Sequence, residues 1–165
     1  MPELAVILAT YNEADNLGRL VEALESLATD LQLVVVDDNS PDGTGLIAQQ
    51  LSTRFGNITL VNRPAKLGLG SALQSGLAVA LNAGAQYVIT MDADLSHDPA
   101  DVPRLLAAIK TGCADMVQGS RYAPGGGVKG WNAKRWMLSR AANLVYHWGA
   151  GTPHWKAIST NRYKN

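Results

Sequence analysis

Leu31-Gln32-Leu33-Val34-Val35-Val36-Asp37-Asp38-Asn39-Ser40-Pro41-Asp42-Gly43-Thr44 is the stretch from which the fold can be read. Its first half is nearly continuous in leucine and valine, the pattern of a strand buried on both faces rather than one with a wet side. A polar run holding proline and glycine breaks the strand. A helical stretch, 44–54, follows. Strand, polar turn and helix make half of a βαβ unit, and the same half-unit recurs on both sides of it.

Working outward, strand-length apolar runs lie at Leu4–Thr10, Leu31–Asp37, 58–61, 87–91 and 116–119, with helices expected at 14–27, 44–54, 70–83 and 100–110. In the first helix Leu17, Leu20, Val21, Leu24 and Leu27 recur at steps of three and four, which makes one apolar stripe. Asp98-Pro99 supplies a cap followed by the proline favoured at a helix start. The alternation predicts an α/β fold, Rossmann-like, with a mainly parallel sheet between helices and right-handed crossovers. Residues 1–122 read as one α/β core, with no repeat or linker up to Asp115. Beyond it, 123–150 combines a glycine-rich stretch, expected to be a mobile loop, with a basic amphipathic helix at about 133–148. The remainder, 151–165, has no assignable periodicity and no closing strand, and reads as an atypical or truncated tail.

Composition bounds the function. The 165 residues are 47% hydrophobic and 17% charged, which fits a globular chain and excludes disordered and fibrous classes. Cys113 alone cannot build a disulfide framework or a common zinc site, so a reducing, cytoplasmic setting is expected. No apolar run approaches the ~18 residues of a membrane span. The zero net charge conceals a split: all fourteen acidic residues lie at or before Asp115, and eight of the fourteen basic residues lie after it. An acidic body with a basic tail calls for an anionic partner such as a phosphate or a membrane surface. The alternative is a solvated basic face.

In an open α/β sheet, ligands sit beyond the carboxyl ends of the strands. Here those ends read Thr10-Tyr11-Asn12-Glu13, Asp37 to Gly43, Asp92-Ala93-Asp94 and Gly119-Ser120-Arg121. A single Asp or Asn there is ordinarily a turn former, but four clusters at one sheet edge would converge on a cleft. Asp92 and Asp94 emerge together from a buried strand, and a pair of carboxylates with substrate phosphates is what Mg²⁺ or Mn²⁺ takes. His97, beside a helix cap, reads more simply as a surface or packing residue than as a ligand. Gly68-Leu69-Gly70 opens a helix near Lys66, but Leu73 stands where a dinucleotide fingerprint needs its third glycine.

Five segments in order carry a resemblance: 9–13, 37–44, 68–72, 91–99 and 119–122. Together they resemble the motif set of the family 2 glycosyltransferases, nearest the polyprenol-phosphate mannosyltransferase branch, over about residues 4 to 150. The resemblance implies the GT-A nucleotide-sugar fold. It implies that Thr10, Tyr11, Glu13, Asp38, Asp42, Lys66, Asp92 and Ala93 line the nucleotide-sugar, and that Asp92 and Asp94 hold Mg²⁺ or Mn²⁺. Asp94, Arg121 and Arg135 are then the residues facing the reacting phosphates. Ser96 occupies a position where some members use a longer amide as a third metal ligand.

The implied reaction moves a hexose, with mannose from GDP-mannose the first choice, onto a polyprenyl phosphate such as dolichyl phosphate with inversion. No nucleic acid is implied as partner. An anionic membrane surface is expected, met peripherally through Lys134, Arg135 and Arg140 among Trp131, Trp136 and Trp148, with a membrane-anchoring subunit or domain as a further partner. The chain departs from the family after residue 148, where Gly151-Thr152-Pro153-His154-Trp155-Lys156 does not resemble the expected segment. Three alternatives stay open on sequence alone: a nucleotide-sugar binding remnant without full turnover, an enzyme using UDP-sugars, and a phosphohydrolase of haloacid dehalogenase type. The last needs an acidic pair after Asp115, and the sequence has none.

Overall fold

A computed structural model of the chain describes residues 1–120 and 137–139, and the backbone of 155–159. Four parallel strands form the main sheet: β1 (Leu4–Thr10), β2 (Leu31–Asp37), β3 (Ile58–Asn62) and β4 (Tyr87–Asp92), in the order β3-β2-β1-β4. Between them run α1 (Ala14–Glu25), α2 (Thr44–Phe55) and α3 (Leu69–Asn82). A 3-10 turn, Pro99–Asp101, leads from β4 into α4 (Val102–Lys110). Asp98 starts that turn as expected, its carboxylate accepting from Ala100 N–H at 2.9 Å.

Strand alternation sorts the core into two layers. Leu4, Val6 and Leu8 of β1 and Leu31, Leu33 and Val35 of β2 pack against Leu17, Leu20, Val21 and Leu24 of α1 and against Val102 and Leu106 of α4. Ile7, Val34 and Val36 face the other way, onto Ala72 of α3. Each buried Leu or Val is worth about 1.5–3 kcal/mol relative to exposure, so the stripe read from α1 is enough to fix that helix on the sheet. On α3 the buried positions are small, Ala72, Gly76 and Ala80. A Cβ on Gly76 would lie 2.5 Å from Ile7 Cγ2, so the glycine is what lets this helix approach the sheet.

Parallel register brings Thr10 level with Asp37, Asp37 level with Asn62, and Ala9 level with Asp92. Strand order progresses from β1 to β3 on one side and then returns to β4 on the other. The reversal between β1 and β4 opens the crevice where ligands bind in such sheets.

Two expectations need correction. β5 (Met116–Ser120) does not extend the sheet; it pairs in parallel with β6 (Trp155–Ser159), Met116 opposite Trp155 through Ser120 opposite Ser159. Met-Val-Gln-Gly-Ser has too little apolar surface for a strand covered on both faces, and three of its five residues are exposed. The tail therefore does contain a strand, where none was expected. Five residues bounded by unpatterned sequence are too short for periodicity to reveal. Residues 137–139 are helical, within the helix expected at 133–148. The rest of that helix, and the glycine-rich stretch before it, lie outside the described residues. Among the described residues no helix is long and apolar enough to cross a membrane.

Candidate functional site

The segments that follow β1 and β2 are stitched together by alternate side chains of the loop after β2. Ser40 Oγ accepts from Asn12 N–H, Thr44 Oγ1 from Glu13 N–H and Asp42 Oδ2 from Ala14 N–H, each at 3.0 Å. Asp42 Oδ1 in turn accepts from Thr44 O–H at 2.6 Å and Thr44 N–H at 3.0 Å. These bonds, the Thr44 hydroxyl first and then the amides of Ala14 and Thr44, hold the Asp42 carboxyl below its ordinary pKa despite the opposing effect of desolvation. A carboxylate aimed at the first N–H of α1 also suits the positive end of that helix.

Asp37 is buried and internally satisfied: Thr10 O–H donates to it at 3.0 Å, Ser40 N–H at 2.9 Å and Ser40 O–H at 2.5 Å. Asp38 is buried too, and its partners come from beyond β3. Arg63 Nη1 donates to Oδ1 at 2.6 Å, and the N–H groups of Leu67 and Gly68 donate to Oδ2 at 3.0 Å. The same guanidinium donates to Gly68 O at 3.3 Å and Ser71 Oγ at 2.6 Å. Asp38 thus fastens the segment between β3 and α3 to the end of β2. Arg63 went unread in the sequence beyond its charge; its signal was an arginine directly after β3, whose neighbour β2 runs out into Asp37-Asp38.

That fastening puts Lys66 over Tyr11, with the ammonium 3.8 Å from the ring centroid. Glu13 keeps its side chain at the same edge, one oxygen accepting from Asn16 Nδ2 at 2.9 Å. At the end of β4, Asp92 and Asp94 are exposed while Ala93 between them is buried, so the two carboxylates share the open side. Asp92 N–H donates to His97 Nδ1 at 3.3 Å, which gives the imidazole a structural task at the turn. Asp94 Oδ1 accepts from Ser96 N–H at 2.9 Å. The Ser96 hydroxyl is buried and has no hydrogen-bond partner among the described residues.

Backbone conformation marks the same edge. Asn12, Asn39 and Leu95, just past β1, β2 and β4, have φ of 61°, 57° and 55°. Asparagine tolerates the left-handed region. Leucine does not, at a cost of roughly 1–2 kcal/mol, and Leu95 is kept there by packing on the core.

Of the residues expected at the site, Thr10, Tyr11, Glu13, Asp38, Asp42, Lys66, Asp92, Ala93 and Asp94 gather at this edge; Arg121 and Arg135 lie outside the described residues. The local balance is acidic: Glu13, Asp37, Asp38, Asp42, Asp92 and Asp94 against Arg63 and Lys66, with Arg63 already paired to Asp38. Such an edge attracts a cation before it attracts an anion. Asp92 and Asp94 offer hard oxygen donors of the kind Mg²⁺ or Mn²⁺ takes, and among the described residues they are not joined by a third Asp, Glu, His or Cys into a group placed to hold a metal ion.

Comparison with known proteins adds to this geometry. Residues 5–162 match the model for "Glycosyl transferase family 2". The chain is 42% identical over 139 residues to polyprenol monophosphomannose synthase of Mycolicibacterium smegmatis, covering 84% of this chain and 52% of that protein. It is 40% identical over 138 residues to undecaprenyl-phosphate mannosyltransferase of Micrococcus luteus, covering 84% and 56%. The chain spans about half the length of these curated relatives. Among solved structures, the mannosyltransferase PcManGT from Pyrobaculum calidifontis in complex with GDP-Man and Mn²⁺ aligns with a TM-score of 0.62 at 24% identity, over 72% of this chain and 35% of that one. Glucosyl-3-phosphoglycerate synthase from Mycobacterium tuberculosis, in complex with Mn²⁺, UDP and glucosyl-3-phosphoglycerate, aligns with 0.62 at 21% identity, over 88% and 50%. At these identities the two structures speak for the shared fold.

Proposed function

The chain belongs to glycosyl transferase family 2, and from that membership we propose that it transfers a hexose, mannose from GDP-mannose, to a polyprenyl phosphate with inversion at the anomeric carbon. The observation that carries this reading is the gathering of Tyr11, Glu13, Asp92 and Asp94 at one sheet edge, in a chain about two-fifths identical to two polyprenyl-phosphate mannosyltransferases.

In this reading the Tyr11 ring takes the base, Glu13 the ribose hydroxyls, and the buried Ala93 keeps the turn narrow between the two carboxylates. Asp38 acts through others: it braces the Leu67 and Gly68 amides and the Arg63 guanidinium that shape the base side of the cleft. A divalent cation bound by Asp92 and Asp94 would supply Lewis-acid stabilisation of the leaving diphosphate. Ser96 supplies neither carboxylate nor amide, so water or phosphate oxygens complete the shell around that pair. The acceptor is a phosphate monoester, already anionic near neutral pH, so it needs positioning and charge neutralisation more than a strong base. Arg121 and Arg135 are the proposed groups for that neutralisation, and Asp94 borders the acceptor side. The lipid-linked acceptor fits a protein working peripherally at an anionic membrane surface, with the basic residues after Asp115 facing it.

Calorimetry with GDP, UDP and their sugars, with and without Mn²⁺, tests the donor half. Metal-dependent GDP binding is expected; preference for UDP would change the donor, and equal affinity with EDTA and with Mn²⁺ would remove the metal. A radiolabelled transfer assay with GDP-mannose and polyprenyl phosphate tests the acceptor half. Binding without labelled lipid product would leave a nucleotide-sugar binding chain in place of an enzyme.

A further inference from the structure

Lys66 Nζ and the Tyr11 ring are in van der Waals contact, the ammonium standing over the face of the ring. An ammonium and a nucleobase cannot share that face. The lysine is exposed and, among the described residues, forms no ion pair, although Glu13, Asp42, Asp92 and Asp94 end at the same edge. Its backbone surroundings are fixed, because the next two amides are bonded to the buried Asp38 and Arg63 grips Gly68 O. Baring the ring therefore needs only a side-chain rotation.

Strand order decides where the ammonium can go. Lys66 lies between β3 and α3, so its side chain crosses the end of β2 to reach Tyr11 beyond β1. The next strand beyond β1 is β4, which ends at Asp92 with Asp94 just past it. A diphosphate held at those carboxylates would be within its swing.

We propose that Lys66 sets nucleoside diphosphates apart from free nucleosides: it covers the Tyr11 face until a base takes that face and the diphosphate gives the ammonium a new partner. This deepens the donor reading above and rests on it. Magnitudes favour the exchange. An exposed cation–π contact is worth about two- to fivefold in an equilibrium constant, and base–aromatic stacking about five- to a hundredfold. The base wins the face. A nucleoside must evict the lysine and gives nothing in return, whereas a diphosphate replaces the lost contact with an ion pair. One side chain thus opposes the wrong ligand and favours the right one.

The test compares the full chain with its Lys66→Met and Lys66→Arg variants, in Mn²⁺, using guanosine and GDP with uridine and UDP as a parallel pair. Diphosphate binding is read by calorimetry and nucleoside binding by ligand-observed NMR at millimolar nucleoside. For Lys66→Met, nucleoside binding tightens about two- to fivefold, while diphosphate binding, which loses the eviction cost and the compensating ion pair together, changes by less than about twofold, so the preference for diphosphate over nucleoside falls about two- to fivefold. Diphosphate binding also becomes less sensitive to salt in that variant, while Lys66→Arg keeps the wild-type order. If the wild type binds a diphosphate but nucleoside affinity is unchanged, weakened or undetectable in both proteins, the proposal is overturned and the donor reading stands. Tighter binding of both ligand types would show a plug without exchange and overturn it equally. A wild type that binds no nucleotide would take down the donor reading and this inference together.

Discussion

Replacing Asp38 by Asn removes the charge opposite Arg63 while keeping the side chain's size. Both groups are buried, and their separation is 2.6 Å. Leaving one partner of a buried pair uncompensated typically costs about 3–5 kcal/mol. Asp38→Asn is therefore expected to lower the unfolding free energy from urea titration by an amount in that range, and adding Arg63→Met to recover part of it. A loss below about 1 kcal/mol would mean that water reaches the pair and screens it. Asp42 makes a different, pH-dependent contribution. Its carboxyl titrates at lower pH in the folded chain than in the unfolded one, so its stabilisation is fully present above the ordinary carboxylate range and is lost as pH falls through the folded value. Urea midpoints of the wild type and of Asp42→Asn should accordingly differ at about pH 5 and converge towards pH 2. A difference that stays constant with pH would assign the effect to shape rather than charge.

Helix α1 and helix α3 carry glycines that look alike in sequence and differ in what surrounds them. A Cβ at Gly18 meets nothing within 4 Å, while at Gly76 it would meet Ile7 Cγ2 at 2.5 Å and Val36 Cγ2 at 3.2 Å. Gly18→Ala should stabilise by up to about 1 kcal/mol through helix propensity. Gly76→Ala gains the same propensity and incurs overpacking of about 1–3 kcal/mol, so a net loss is expected. Thermal unfolding of both variants checks the pair; a stabilised Gly76→Ala would mean that α3 can shift outward without penalty. These two glycines also show what the sequence could and could not reveal. The central strands β1 and β2 and the stripe of α1 were legible because burial on both faces writes itself as nearly unbroken Val, Ile and Leu, and burial on one face as steps of three and four; the outer strands β3 and β4, only partly buried, were legible as short apolar runs between helical stretches. The close approach of α3 was not, since it depends on which strand residue lies beneath. At the site, the acids after β2 and β4 were legible as strand-end clusters. That Asp42 and Thr44 stitch loops together depends on β1 lying beside β2, and that Asp38 answers to Arg63 on β3 lying beside β2; no local pattern records either neighbour. The pairing of β5 with β6 was missed for the same reason.

At the scale of the whole chain, charge is segregated along the sequence, acidic through Asp115 and basic after it. Near an anionic bilayer each Lys or Arg is worth about 1 kcal/mol. Changing Lys134, Arg135 and Arg140 to Ala should therefore weaken sedimentation with phosphatidylserine-containing liposomes by on the order of a hundredfold, and added salt should weaken the wild type as well. Binding indifferent to both would mark a solvated basic face. The strand order carries a consequence for how the molecule comes into being. β1 pairs with β2 across a short stretch of chain, Leu4 opposite Leu31, but with β4 across a long one, Leu4 opposite Tyr87. Long-range pairing is slow because its loop entropy must be met before its contacts form. During refolding, helix signal should therefore recover before nucleotide binding does, and simultaneous recovery would contradict that order. Asp92 and Asp94 ride on the strand expected to dock after β1, β2 and β3, so a nascent chain would pass through a stage at which most of the sheet is built and the proposed metal-holding pair is not yet in place.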